Sequence, residues 1–374
     1  MAAIDQLFQT MVDRKASDMH LTVGNTPLLR IKGDLEPLAD WIMTEQALQG
    51  LIYETMSPEQ WQLCWERHDY DYAYEVPGVA RFRCNVFFNQ QGIAAVFRTI
   101  PTKILTLDQL GMPQAVRDLC KVKRGLILVT GPTGSGKSTT LAGMIDDINE
   151  VREGNILTIE DPIEFVHPVK KCKITQREVH RDTHSFKAAL RSSMRQDPDI
   201  ILVGEMRDYE TISLAIAAAE MGILVFGTLH TNSAAKTIDR IINVFPSDER
   251  DKARGALASS TKGIVAQQLC PTKDGKGRCA AVEILTYNKS LPNLIRTGKT
   301  SGLNSLIELG AKQGMQTMDQ CLQKFYDEGK ITAQEAYLKA NEKKRFQPLV
   351  DQEAAAVQAA AQAAAMKEKQ KSPF

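Results

Sequence analysis

The chain has 374 residues with a formal net charge of +1, from 46 Lys and Arg against 45 Asp and Glu. At 43% hydrophobic and 24% charged it has the balance of a globular protein long enough for two domains. That balance leaves no basic footprint for nucleic acid, no apolar run of about 18 residues offers a membrane span, and seven cysteines without CxxC spacing point to reduced thiols.

In chain order, Ile4, Leu7, Phe8, Met11 and Val12 share one helical face. The first 15 residues have no continuous apolar core and no cleavage site, so no signal peptide is expected. Strand-like runs follow at 20–23, 27–31 with a KGD turn, 71–76, 80–88 and 93–100, and the stretch 44–67 reads as helical. This predicts a small α+β domain, closed by a proline-bounded connector over 101–113. The pattern then changes. Runs at 126–130, 155–159, 199–204 and 223–229 are apolar without alternation, and helical stripes lie between them. Buried strands alternating with helices imply a mostly parallel sheet covered on both faces. Residues 247–345 read as mainly helical; within them Cys270 and Cys279 flank a polar turn and would meet if it closed a hairpin. The stretch 352–370 is Ala- and Gln-rich and is expected to be an exposed appendage.

The chemistry starts at 131–138, GPTGSGKS. Gly131, Pro132, Thr133, Gly134, Ser135 and Gly136 form a loop between a buried strand and a helix, and Lys137, Ser138 and Thr139 open that helix. Loop amides and a helix N-terminus attract phosphate oxygens; Lys137 neutralises the β- and γ-phosphates, and Ser138 offers a hydroxyl to Mg²⁺. ATP with Mg²⁺ is therefore the expected ligand. Further groups belong at the carboxyl ends of buried strands, where open α/β sheets bind ligands. DIILVGEMRD delivers Glu205 there, to orient or deprotonate water or to hold Mg²⁺ through water. Asp is the commoner residue at that position, so Glu205 departs from the general pattern. ILTIEDPIEF places Glu160, Asp161 and Glu164 after another strand, three carboxylates suited to a metal–water–triphosphate site. Glu205 is preferred over Glu164 as general base because its strand is better defined. GTLHT brings His230 to a third strand end, where an imidazole could sense the γ-phosphate or bridge to a carboxylate. His167, His180 and His184 lie in a polar stretch and read as structural.

These strings in this order (GPTGSGKST, TIEDPIEF, LVGEMRD and GTLHT) resemble the secretion ATPases that power type IV pili and type II secretion, and the resemblance covers about residues 1–345. SDMHLTVG (17–24) and the NLIR core of LPNLIRTGK (291–299) look like retraction motors within that family. The resemblance implies a PAS-like domain over 1–102, a linker over 103–120 and a RecA-like P-loop ATPase domain over 121–348 with a helical C-terminal part; the Ala/Gln-rich composition of 349–374 reads as a disordered or loosely helical tail, unlike most members of that family. The resemblance further implies a cytoplasmic homohexamer with ATP at subunit interfaces, docked on an inner-membrane pilus platform protein and so peripheral to the membrane. It also implies arginines of the N-terminal domain reaching the nucleotide, with Arg83 and Arg98 at the matching positions and Arg81 a weaker candidate on the same side as Arg83. An assembly or secretion motor, or an accessory subunit with little hydrolysis, are the alternatives.

Overall fold

The computed structural model describes residues 2–31, 33–100 and 103–371. Lys32 of the expected KGD turn, the domain boundary at 102 and the last three tail residues lie outside them. The chain divides into two compact units: Met1–Ile104 with Ile159–Pro168 and Gln176–Phe186, and Leu105–Thr158 with Val169–Thr175 and Lys187–Phe374.

The first unit runs α1 (Ala3–Asp13), β1 (Asp18–Thr22), β2 (Leu28–Ile31), β3 (Asp34–Pro37), α2 (Glu45–Tyr53), α3 (Pro58–Arg67), β4 (Asp69–Val76), β5 (Ala80–Asn89) and β6 (Gly92–Ile100). Its six strands form an antiparallel sheet in the order β3-β2-β1-β6-β5-β4. Ile4, Phe8 and Met11 on the apolar stripe of α1 are fully buried. Phe8 stacks on Phe82 at 4.2 Å between ring centroids and meets Phe97 edge-on at 5.1 Å, contacts worth about 0.5–1.5 kcal/mol each beyond area burial. The stretch 44–67 is two helices rather than one. Ser57 starts the second with a capping box to Gln60, and Pro58 follows at its first turn. A residue before proline is pushed out of the helical region, which separates the two.

The second unit runs α4 (Gln114–Cys120), β7 (Gly125–Thr130), α5 (Lys137–Val151), β8 (Gly154–Glu160), β9 (Cys172–Glu178), α6 (Phe186–Ser193), β10 (Ile200–Val203), α7 (Tyr209–Glu220), β11 (Leu224–Leu229), α8 (Ala234–Val244), α9 (Arg250–Ser260), β12 (Thr261–Pro271), β13 (Arg278–Thr286), α10 (Leu291–Arg296), α11 (Leu303–Leu309), α12 (Met318–Asp327), α13 (Ala333–Lys339) and α14 (Lys343–Lys371). The carboxyl ends of β8 and β9 extend into the segments that group with the first unit. The sheet order is β13-β12-β7-β11-β10-β8-β9. β12 with β7, β7 with β11 and β11 with β10 are parallel pairs, and every residue of β7, β10 and β11 is buried. This is the α/β, mostly parallel sheet expected of a RecA-like domain.

The mainly helical reading of 247–345 fails at 261–286, where β12 and β13 form an antiparallel hairpin that extends the sheet. Cys270 and Cys279 are direct cross-strand partners in it, and both are free thiols. β12 is a strand because β7 and β13 satisfy its backbone on both sides, a non-local cause that no window of residues displays. β9, which showed no strand pattern, is a largely polar strand at one end of the sheet. Within the tail, α14 is continuous helix, and Glu353 accepts from the Ala333 N–H at 2.7 Å and from Lys273 at 2.9 Å.

Candidate nucleotide site

β7 ends at Thr130 and the 15-residue α5 begins at Lys137. Between them Gly131, Gly134 and Gly136 take φ of 148°, 76° and 84°, backbone that side chains resist. Close approach constrains two of them further. A Cβ on Gly131 would stand 2.2 Å from the Gln267 carbonyl oxygen, and one on Gly136 2.9 Å from Gln267 Nε2. Pro132, Thr133 and Gly134 are exposed, Ser135 is buried, and Gly136 through Thr139 are half-buried. Lys137 Nζ donates to the carbonyls of Gly131 at 2.9 Å and Pro132 at 3.1 Å, which holds the ammonium against the loop. Among the described residues the buried Ser135 hydroxyl finds no hydrogen-bond partner. Loop amides, a long helix's N-terminus, a lysine and an orphan hydroxyl together suit a phosphate chain.

β10 and β11 are parallel neighbours with Val203 opposite Gly227, so Glu205 and His230 leave the sheet side by side. His230 Nε2 lies 2.7 Å from Glu205 Oε1, and Arg207 Nε donates to the same oxygen. Burial pushes the Glu205 carboxyl up, but the Arg207 guanidinium and His230 outweigh it and leave the group below its ordinary value. Behind His230, the buried Thr237 hydroxyl donates to the Ser233 carbonyl at 2.7 Å and sits 2.7 Å from the Thr231 hydroxyl. Glu283 accepts from the Ala234 N–H at 2.8 Å, tying the start of α8 to β13.

The acidic box belongs to the first unit. Its three carboxylates do not converge: Gln176 donates to Glu160 at 3.2 Å, Glu164 lies 3.9 Å from Arg83, and Asp161 is exposed. Among the described residues no three His, Cys, Asp or Glu groups could hold a metal ion together. Arg83 and Arg98 face each other directly across β5 and β6. Like charges so placed repel, and carboxylates relieve them. Asp71 lies 3.8 Å from Arg83, and Asp18 accepts from Arg98 Nε at 2.8 Å while the Arg98 side chain stays 67% exposed. Arg81 differs from Arg83: it is buried, donating to Glu178 at 2.8 Å and to the Ile163 carbonyl at 3.3 Å. His167 is buried, and its backbone N–H donates to Gln176; His180 sits in a left-handed turn closed on Thr183. His184 is exposed. Sequence reasoning missed Gln267, Thr140, Asp18, Glu178 and Glu283. All are polar residues in or beside regular elements, and only the doublet Gln267–Gln268 interrupting an apolar run hinted at one of them.

Comparison with known proteins identifies the family. A type IV pilus retraction ATPase, PilT, of Pseudomonas aeruginosa is 50% identical over 343 residues, 92% of this chain and 99% of that protein. A twitching motility protein of Neisseria gonorrhoeae is 49% identical over 315 residues, 84% of each chain. The crystal structure of the pilus retraction motor PilT with bound ADP superposes with a TM-score of 0.85 at 44% identity, covering 92% of this chain and 98% of that one. The family described as type II/IV secretion system protein matches residues 1–338, and the chain belongs to that family.

Proposed function

We propose that this chain is the ATP-hydrolysing subunit of a hexameric motor that drives type IV pilus retraction. The observation that carries the reading is the 50% identity to a retraction ATPase across 92% of the chain, with the phosphate loop and the Glu205–His230 pair intact. In this reading ATP is bound at Gly131–Thr139. Lys137 exchanges two neutral carbonyls for phosphate oxygens, a stronger charge-assisted pairing. Mg²⁺ entering with the nucleotide would be held by the Ser138 hydroxyl and, through water, by Glu205, and it would neutralise phosphate charge. Glu205 shares one oxygen between His230 and Arg207 and has a lowered proton affinity, which suits an orienting carboxylate better than a proton acceptor. That makes Glu164 the preferred general base, reversing the order favoured by sequence. Arg83 and Arg98 act on the nucleotide of a neighbouring subunit, Asp18 holding Arg98 by Nε. No helix among the described residues is long and apolar enough to cross a membrane, and the ring works at the cytoplasmic face of the inner membrane through a pilus platform protein.

The test is Lys137→Ala. Purified, it loses hydrolysis; replacing the chromosomal copy, it leaves cells with excess pili that do not retract. Bald cells would instead make the chain an assembly motor, and turnover within about twofold of wild type would remove the phosphate-loop assignment.

A further inference from the structure

β12 passes directly beneath the phosphate loop, and Gln267 is 1% exposed there. Its strand is held on both sides, with Ala266 opposite Thr130 of β7 and Gln267 opposite Val282 of β13. Gln267 Nε2 donates to the Ser135 carbonyl at 2.6 Å, and Gln267 Oε1 accepts from the Thr140 hydroxyl at 2.8 Å. The first bond decides the second. A carbonyl oxygen only accepts, so the amide end that faces Ser135 must be the NH₂, and the other end is the oxygen that takes the Thr140 proton from α5. A trans peptide is planar, with its C=O and N–H on opposite sides. Holding the Ser135 carbonyl down onto Gln267 therefore turns the Gly136 N–H away from β12. Gly131 and Gly136 are the residues whose missing Cβ atoms allow this approach.

We infer that Gln267 is a positioning residue for the phosphate loop, one that sets the peptide orientation at Ser135–Gly136 and so pre-organises the loop amides for the phosphates of a nucleoside diphosphate or triphosphate. The inference rests on the phosphate-loop reading above. It makes the β12–β13 hairpin part of the nucleotide site, with Thr140 holding the far end of the amide. Without the brace, nucleotide binding must itself order the loop, and that cost falls on affinity.

The experiment uses the full-length protein with a fluorescent ADP analogue for Kd and steady-state ATP hydrolysis for KM and kcat, each variant first checked for native circular dichroism and melting. Gln267→Met keeps the side chain's size and removes both bonds. It should weaken the ADP analogue about tenfold and raise KM by a similar factor, with a smaller fall in kcat, since one buried hydrogen bond is worth about 1.4 kcal/mol at tenfold. Thr140→Val should move Kd the same way, and Thr140→Ser, which keeps the hydroxyl, should restore it. A folded Gln267→Met with ADP-analogue affinity within twofold of wild type overturns the inference. If Gln267→Met does not fold, Thr140→Val decides on the same criterion, because it removes one of the two bonds that hold the amide without touching Gln267. Lys137→Ala separates the two claims: if it abolishes hydrolysis while Gln267→Met binds normally, only the brace is wrong, and if it hydrolyses normally, the phosphate-loop reading fails.

Discussion

Glu205 and Glu164 are both carboxylates near the ends of strands, yet their surroundings differ. Glu205 is bonded by His230 and Arg207, whereas Glu164 lies 3.9 Å from Arg83. Glu205→Gln should keep nucleotide bound, because Lys137 and the loop are untouched, while turnover falls about 10²-fold. Glu164→Gln should slow single-turnover cleavage more steeply still. A near-normal Glu164→Gln beside an inactive Glu205→Gln would return the base to Glu205. Glu283 yields a pH prediction. It is 1% exposed; burial raises its carboxyl above the ordinary 4.5, and the Ala234 and Met318 N–H groups offset only part of that. A raised folded-state value means that its stabilising contribution is complete below the unfolded value and is lost as pH rises through the folded one. Glu283→Gln does not titrate, so its melting temperature relative to wild type should climb from pH 4.5 upward. A constant difference between the two across that range would remove Glu283 as the linked group. The strand-end residues Glu205 and His230 were legible from sequence because a fully apolar strand announces where it stops. Glu283 was not, since its partners come from α8 and α12 and a lone acid in an apolar stretch does not name them.

At the scale of elements, β5 shows how far period-two reasoning reaches. It places Arg81 and Arg83 on one face, but Arg83 is half-buried, and Arg81 is sealed against Glu178 near the end of β9, their side chains 10% and 4% exposed. Glu178 also accepts from the Ile163 N–H at 3.1 Å, so the pair fixes the backbone of the acidic box from within the first unit. Alternation gives the face of a strand, whereas burial depends on what covers that face, which the chain supplies here from nearly a hundred residues away. The same limit explains β12, whose partners are non-local, and Gln267 within it. By contrast, the phosphate loop was legible because its glycines answer to local backbone geometry. Arg81→Met should cost about 3 kcal/mol, the low end for breaking a buried pair, because it leaves the buried Glu178 charge to the Ile163 N–H and to Arg181 at 3.8 Å. Arg81→Met with Glu178→Leu should lie closer to wild type than the single change. Denaturation followed by tryptophan fluorescence reports on this unit, since all three tryptophans, Trp41, Trp61 and Trp65, lie in it. A double variant no more stable than Arg81→Met would show that the pair is not held together by charge.

For the whole molecule the question is whether one chain contains a complete site. Lys137 lies in the second unit and Arg83 and Arg98 in the first. Arg98 is anchored by Nε to Asp18, a buried carboxylate; burial raises that group, and bonds from Ser17 and Arg98 more than reverse the effect, leaving it ionised beside the guanidinium. Held at its neck and exposed beyond it, Arg98 turns its terminal nitrogens to solvent, which is compatible with the proposed role on a neighbouring subunit's nucleotide. If a neighbouring subunit supplies it, specific activity should rise steeply with protein concentration as interfaces assemble. Arg98→Ala chains keep Lys137, and Lys137→Ala chains keep Arg98; each should be inactive alone. Mixed in one ring, an Arg98→Ala chain beside a Lys137→Ala chain in the correct order holds one intact site, so co-assembled rings should recover part of wild-type turnover. A site made within a single chain gives no such recovery, because every chain in the mixture carries its own lesion. Rings shown by mass to contain both variants, yet no more active than either alone, would rule out the shared site, and they would leave the phosphate loop's role unaffected.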